Sequence, residues 1–189
     1  MSEKERYEID RDIAFHSAPT LLGIKCANLI SFDRSETAIA EYLNEFKNKL
    51  SANGLYAEQL CKCRKRILVY IYNRKMLDAW LKMPCVSEFL SEYGYSSDMT
   101  LKEMLEKLAS RICCGDFPHE IGAFLGYPIA DIKGFISNCG KNCLLCGYWK
   151  VYENAEKAQQ TFEAYNRCRE ILFDRLNNSL NLFQAVNKL

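Results

Sequence analysis

The chain has 189 residues, 49% of them hydrophobic and 26% charged, with a formal net charge of +1 at pH 7. That composition is ordinary for a globular protein long enough to bury one core. A net charge so close to zero provides no field to recruit nucleic acid or an anionic membrane, the charged opening MSEKERYEIDRD does not read as a signal peptide, and no apolar run approaches the roughly 20 residues of a membrane helix. The expectation is one cytoplasmic domain over residues 1–189, binding neither nucleic acid nor membrane.

Residues 5–15 read as a short helix with Ile9 and Ile13 on one side, ended by Pro19. TLLGIKCANLISF (20–32) is apolar with little helical period and contains a strand. Asp33-x-x-Glu36 resembles a capping box and opens a helix with Ile39, Tyr42, Leu43, Phe46 and Leu50 on one face, stopped by Asn53-Gly54. LYAEQLC (55–61) reads as a strand. RILVYIY (66–72) is the clearest strand, apolar on both faces, which predicts an inner position in its sheet.

Asn73 predicts the cap of a helix running to Leu81, which Pro84 interrupts, with a short helix after it at 85–93. Thr100-x-x-Glu103 is a capping box for a helix that turns Leu101, Met104, Leu105, Leu108 and Ile112 inward and ends at Gly115. Pro118 and Pro128 sit at expected first helical positions, opening short helices at 118–125 and 128–138. CLLCGYWKVY (143–152) is strand-like, with Tyr148, Lys150 and Tyr152 on one face and Trp149 and Val151 on the other. Asn154 predicts the cap of a long last helix with Ala158, Phe162, Tyr165, Cys168, Leu172 and Leu176 on one side. The fold class is α+β: a single domain with a small mixed or antiparallel sheet of three or four strands covered by helices.

Three segments, HSAPTLLGIK (16–25), FPHEIGAFLGYPIADIKGFI (117–136) and GYWKVY (147–152), with a helix after them carrying Ala158, Phe162 and Tyr165, resemble a bacterial family, mainly of anaerobic Firmicutes, defined only as a domain of unknown function. The resemblance covers about residues 12 to 170. It implies no established activity, cofactor or catalytic residue. It implies a gene neighbourhood of iron-uptake and flavodoxin genes.

Ten cysteines make the chain cysteine-rich. Without an export signal they read as reduced thiols, most of them core filler, in keeping with an anaerobe. Cys139, Cys143 and Cys146 are spaced C-x3-C-x2-C, as in radical-SAM enzymes, but the chain after Cys146 is mostly one helix and cannot build that barrel. A simpler cluster or zinc site needs a fourth ligand from Cys61, Cys63, Cys113, Cys114 or His119. The expectation at these cysteines is free thiols, with no cluster and no disulfide. The three are not part of the family pattern that the resemblance rests on.

Both histidines lie in the segments that carry the resemblance. If Pro118 opens a helix, His119 and Glu120 occupy its first turn, where free N–H groups favour an anion. Gly122 and Gly126 suggest close packing. His16, Lys25 in an apolar run, Tyr127 and Lys150 complete a candidate small-ligand site with an anion-binding character. His119, Glu120 and His16 are its catalytic candidates and Lys25, Tyr127 and Lys150 its binding candidates. His16 and His119 are predicted to approach one cavity. No phosphate loop or dinucleotide fingerprint names a reaction or a cofactor. Two alternatives stand beside this reading: a non-catalytic metal, iron–sulfur or haem-handling protein of iron metabolism, and an adaptor binding a redox partner such as a flavodoxin.

Overall fold

A computed structural model describes residues 1–63, 66–114, 118–179 and 181–187. The elements run α1 (Glu3–Leu21), β1 (Ala27–Phe32), α2 (Glu36–Leu50), β2 (Leu55–Cys63), β3 (Arg66–Asn73), α3 (Arg74–Leu81), α4 (Pro84–Ser91), α5 (Leu101–Cys114), α6 (Ile121–Phe124), α7 (Ile129–Ser137), β4 (Leu145–Cys146), β5 (Lys150–Val151), α8 (Ala155–Asn177) and α9 (Leu182–Val186). The architecture is α+β. β3 lies between β1 and β2 in an antiparallel sheet, and β4 and β5 form a separate hairpin.

β3 is the inner strand because neither of its faces is polar. Ile67, Val69 and Ile71 point into one helical layer with Ile9 and Ile13 of α1, Phe46 of α2 and Leu172 of α8. Tyr70 and Tyr72 point into the other, with Leu77 of α3, Phe89 of α4, Leu108 of α5 and Phe124 of α6. In β2 the register slips between Gln59 and Cys61, a bulge on an edge strand. The N-caps at Asn73 and Asn154 and the capping box at Thr100 form as their side chains dictate. The six apolar residues expected on the last helix are its buried face.

Several boundaries differ from expectation. α1 does not stop at Pro19 but runs through it. Proline lacks the N–H that would bond the Phe15 carbonyl. Arg169 of α8 supplies that bond from its Nε at 2.9 Å, so the helix continues. It ends two residues later in a Schellman turn, with Gly23 at φ 76° and the Ile24 N–H bonded to the Pro19 carbonyl at 2.9 Å. The strand expected within 20–32 is therefore confined to its last six residues. α2 is capped by Ser35, whose hydroxyl accepts from Ala38 N, and not by Asp33. Pro84 opens α4 where an interruption was expected, and Pro128 caps α7 from just outside it. The expected stop at Gly115 lies outside the described residues, as does Phe117.

Candidate functional site

The second helical layer ends in a run of tight turns. The carbonyls of Pro118, His119 and Glu120 accept from the N–H groups three residues on, at 3.2, 3.2 and 3.0 Å. Only then does α6 form, and it has four residues. His119 and Glu120 thus precede the helix, and the predicted anion pole at its start is corrected: the turn bonds consume those N–H groups, and one turn of helix sums few peptide dipoles. The reason is burial on every side. Ile121, Gly122, Ala123 and Phe124 are all covered, so no amphipathic period sustains a longer helix.

The two glycines of this segment allow its close packing. A Cβ on Gly122 would approach Ile132 of α7 at 2.9 Å. Gly126 has φ 74°, and a Cβ there would meet the Cys26 sulfur at 2.6 Å. The corner at Gly126 turns the chain into α7, and the β4–β5 hairpin folds back onto α7. The brace is Asp131, only 3% exposed. One of its oxygens accepts from the Trp149 indole at 2.7 Å, the other from the N–H groups of Tyr152 and Glu153 at 2.7 and 3.0 Å.

Between these pieces lies a cavity of about 380 Å³. Pro118, Ile121, Leu125 and Ile132 give it apolar walls, and Tyr127, Phe135 and Trp149 give aromatic ones. The Tyr127 and Trp149 rings stack with centroids 5.2 Å apart. Burial pushes the Tyr127 phenol up to about 12, so it stays a neutral donor, bonded to the Tyr148 carbonyl at 3.2 Å. His119 and Lys150 supply the polar groups beside Phe135. The His119 ring lies 5.7 Å from the Phe135 ring, and the Lys150 ammonium lies 5.8 Å from it while donating to the Gly140 carbonyl at 2.7 Å.

Of the residues singled out from the sequence, His119, Tyr127 and Lys150 line this one cavity; His16, Lys25 and Glu120 do not. Glu120 is fully buried and ion-paired with Arg111 of α5, so it anchors the turn and does not wall the site. His16 sits on α1, exposed, edge-on to Phe15 at 5.0 Å, with its pKa lowered chiefly by partial desolvation. Lys25 is buried behind the cavity wall, its ammonium 5.2 Å from the centroid of the Tyr127 ring. The expected strand pattern at 148–152 is also corrected. Gly147, Tyr148 and Trp149 connect the two hairpin strands, which lets Trp149 and Lys150 face the same cavity.

Asp131, Phe135 and Arg111 were not foreseen. Asp131 stands one turn past Pro128, and nothing local in the sequence names its three donors. Cys139 and Cys146 are exposed and Cys143 is half-buried, all three as free thiols. Among the described residues no group of three or more His, Cys, Asp or Glu is placed to hold a metal ion. None of the described helices is long and apolar enough to cross a membrane.

Neither a curated protein nor a solved structure matches the chain. A family model does, over residues 13–186, and its description is Protein of unknown function (DUF3793). That match spans nearly the whole chain, both helical layers and the cavity between α6, α7 and the hairpin, and the chain belongs to the DUF3793 family.

Proposed function

We propose that the protein binds a small organic molecule in the cavity between α6, α7 and the β4–β5 hairpin. The observation that carries this reading is the composition of the cavity. Its volume of about 380 Å³ falls within the range of small-molecule sites, and its walls are apolar and aromatic with a few polar groups beside them. The larger groove along β2 is a weaker candidate. Its charges have both signs, and two of them, Lys102 and Glu106, already face each other at 3.7 Å.

The stacked pair Tyr127–Trp149 offers a flat surface to a flat ligand. His119, exposed beside the cavity, is the group through which the same site would exchange a proton with its ligand. The test is a titration of nitrogen-15-labelled protein with one- and two-ring fragments. Binders are expected to shift the Trp149 indole resonance and the amides of residues 119–135. Leu125→Trp, at a half-exposed lining position, fills part of the cavity and is expected to weaken them about tenfold or more. Shifts scattered over other surfaces, or binding indifferent to Leu125→Trp, would remove the proposal.

A further inference from the structure

The charges around the cavity are unequal, and the inequality says what kind of ligand it takes. Among the described residues Asp131 is the carboxylate in the lining, and three N–H donors already bond to it. Glu120 is turned inward onto Arg111. Against these stand two ammonium groups. Lys150 lines the cavity and has spent one N–H on the Gly140 carbonyl. Two remain, since an ammonium has three.

The second ammonium, Lys25, is the less expected. It is 3% exposed and bonds to the Asn28 side-chain oxygen at 3.2 Å. Among the described residues no carboxylate forms an ion pair with it. Its other neighbours are the Tyr127 and Tyr165 rings, 5.2 and 5.9 Å from the ammonium. Tyr127 is itself the cavity wall. A positive charge without a counter-ion among the described residues therefore sits directly behind that wall, where low dielectric lets its potential reach into the cavity.

We infer that the cavity selects a planar aromatic anion, with the ring against Tyr127, Trp149 and Phe135 and the anionic group at Lys150, and that Lys25 contributes to the selection from behind Tyr127. The inference rests on the small-ligand reading and names the chemical class of that ligand. Stacking alone would accept any flat ring. The two ammoniums make an acid preferable to the neutral or cationic molecule of the same shape, because only the acid adds the attraction of opposite full charges to the hydrogen bond.

The probes are 2-naphthoate, its neutral carboxamide and 2-naphthylmethylamine, followed at the Trp149 indole resonance and by calorimetry at pH 7. Naphthoate is expected to bind at least about tenfold more tightly than the carboxamide, the advantage of an ionised acceptor over a neutral one at the same ammonium. Lys150→Met is expected to erase most of that preference, weakening naphthoate several-fold more than the carboxamide. Lys25→Met is expected to reduce it about threefold without touching the cavity surface. Carboxamide binding as tight as naphthoate, or tighter binding of the amine, would overturn the inference while the small-ligand reading survived. A preference for naphthoate that Lys150→Met leaves intact would overturn the assignment of the anion to Lys150. No response of the Trp149 resonance to any of the three would sink both.

Discussion

Lys25 holds a charge where a charge is costly. Burial lowers its pKa from the ordinary 10.5 to about 8, so at pH 7 the folded protein keeps it protonated against a desolvation penalty. Because the folded pKa is the lower one, between about pH 8 and 10.5 the unfolded chain binds more protons at this site than the native state does. The Lys25 contribution to stability therefore rises with pH across that window and is least favourable below it. Lys25→Met keeps the aliphatic stem and removes the penalty. At pH 7 it is expected to raise stability by up to about 3 kcal/mol, less the lost bond to Asn28, and the gain should shrink toward nothing as the pH nears 10. Urea unfolding at pH 7 and at pH 9.5 measures it. Lower stability of the variant at pH 7 would make the ammonium a net stabiliser and equal stability a neutral group, and either would remove the argument that it is kept at a cost. A variant more stable at pH 7 would support the binding role proposed for Lys25, since perturbed ionisable groups cluster at functional sites.

At the scale of the element, α1 and α8 are joined where α1 should have failed. Pro19 leaves the Phe15 carbonyl without its helical donor, and Arg169 bonds to it while its guanidinium lies 4.0 Å from the Phe15 ring centroid. Arg169→Met is expected to cost about 1–2 kcal/mol, one charged hydrogen bond and its ring contact. Pro19→Ala restores an N–H able to close the helical bond, so in that background the cost of Arg169→Met should fall by about half or more. Additive losses in a double-mutant cycle would show that Arg169 does not replace the missing donor. This pair also marks the limit of what was legible in the sequence. The period of β3 and the apolar face of α8 are local patterns, and so are the caps at Asn73, Thr100 and Asn154; each formed as its residues dictate. Continuation through Pro19 depends on a donor from a helix far along the chain, which no local pattern contains. The 118–124 turns are buried all round and have no period to read. His119, Tyr127 and Lys150 could be picked out as polar or aromatic residues near turn signals. That Glu120 would face Arg111, and Asp131 the hairpin, is decided only when α5, α7 and β5 pack.

At the scale of the molecule, the sheet separates two unlike halves. One layer sets the long helices α1, α2 and α8, with the short α9, against Ile67, Val69 and Ile71, and its long helices have deep apolar faces. The cavity belongs to the other side, where short elements stack on one another. There the hairpin rests on α8 through a small cluster of Val151, Ala158 and Phe162. Elements held by few buried side chains open at lower free energy than the global transition. The Glu120–Arg111 pair ties the cavity segment of this half to α5, and the two partners are unequal: Glu120 is fully buried while Arg111 is 42% exposed. Removing the arginine strands a buried carboxylate, a loss of up to about 3 kcal/mol after allowing for the exposed side of the pair. Arg111→Met should therefore speed amide exchange across residues 118–137 while the buried amides of α1 and β3 keep their original rates. Adding Glu120→Gln should recover most of the protection, because a neutral amide is far less costly to bury than a lone charge. Exchange that accelerates equally in both halves would mean that the molecule opens only as a whole. The cavity would then be as rigid as the core, and ligand entry would have to proceed without the α6–α7 segment parting from α5.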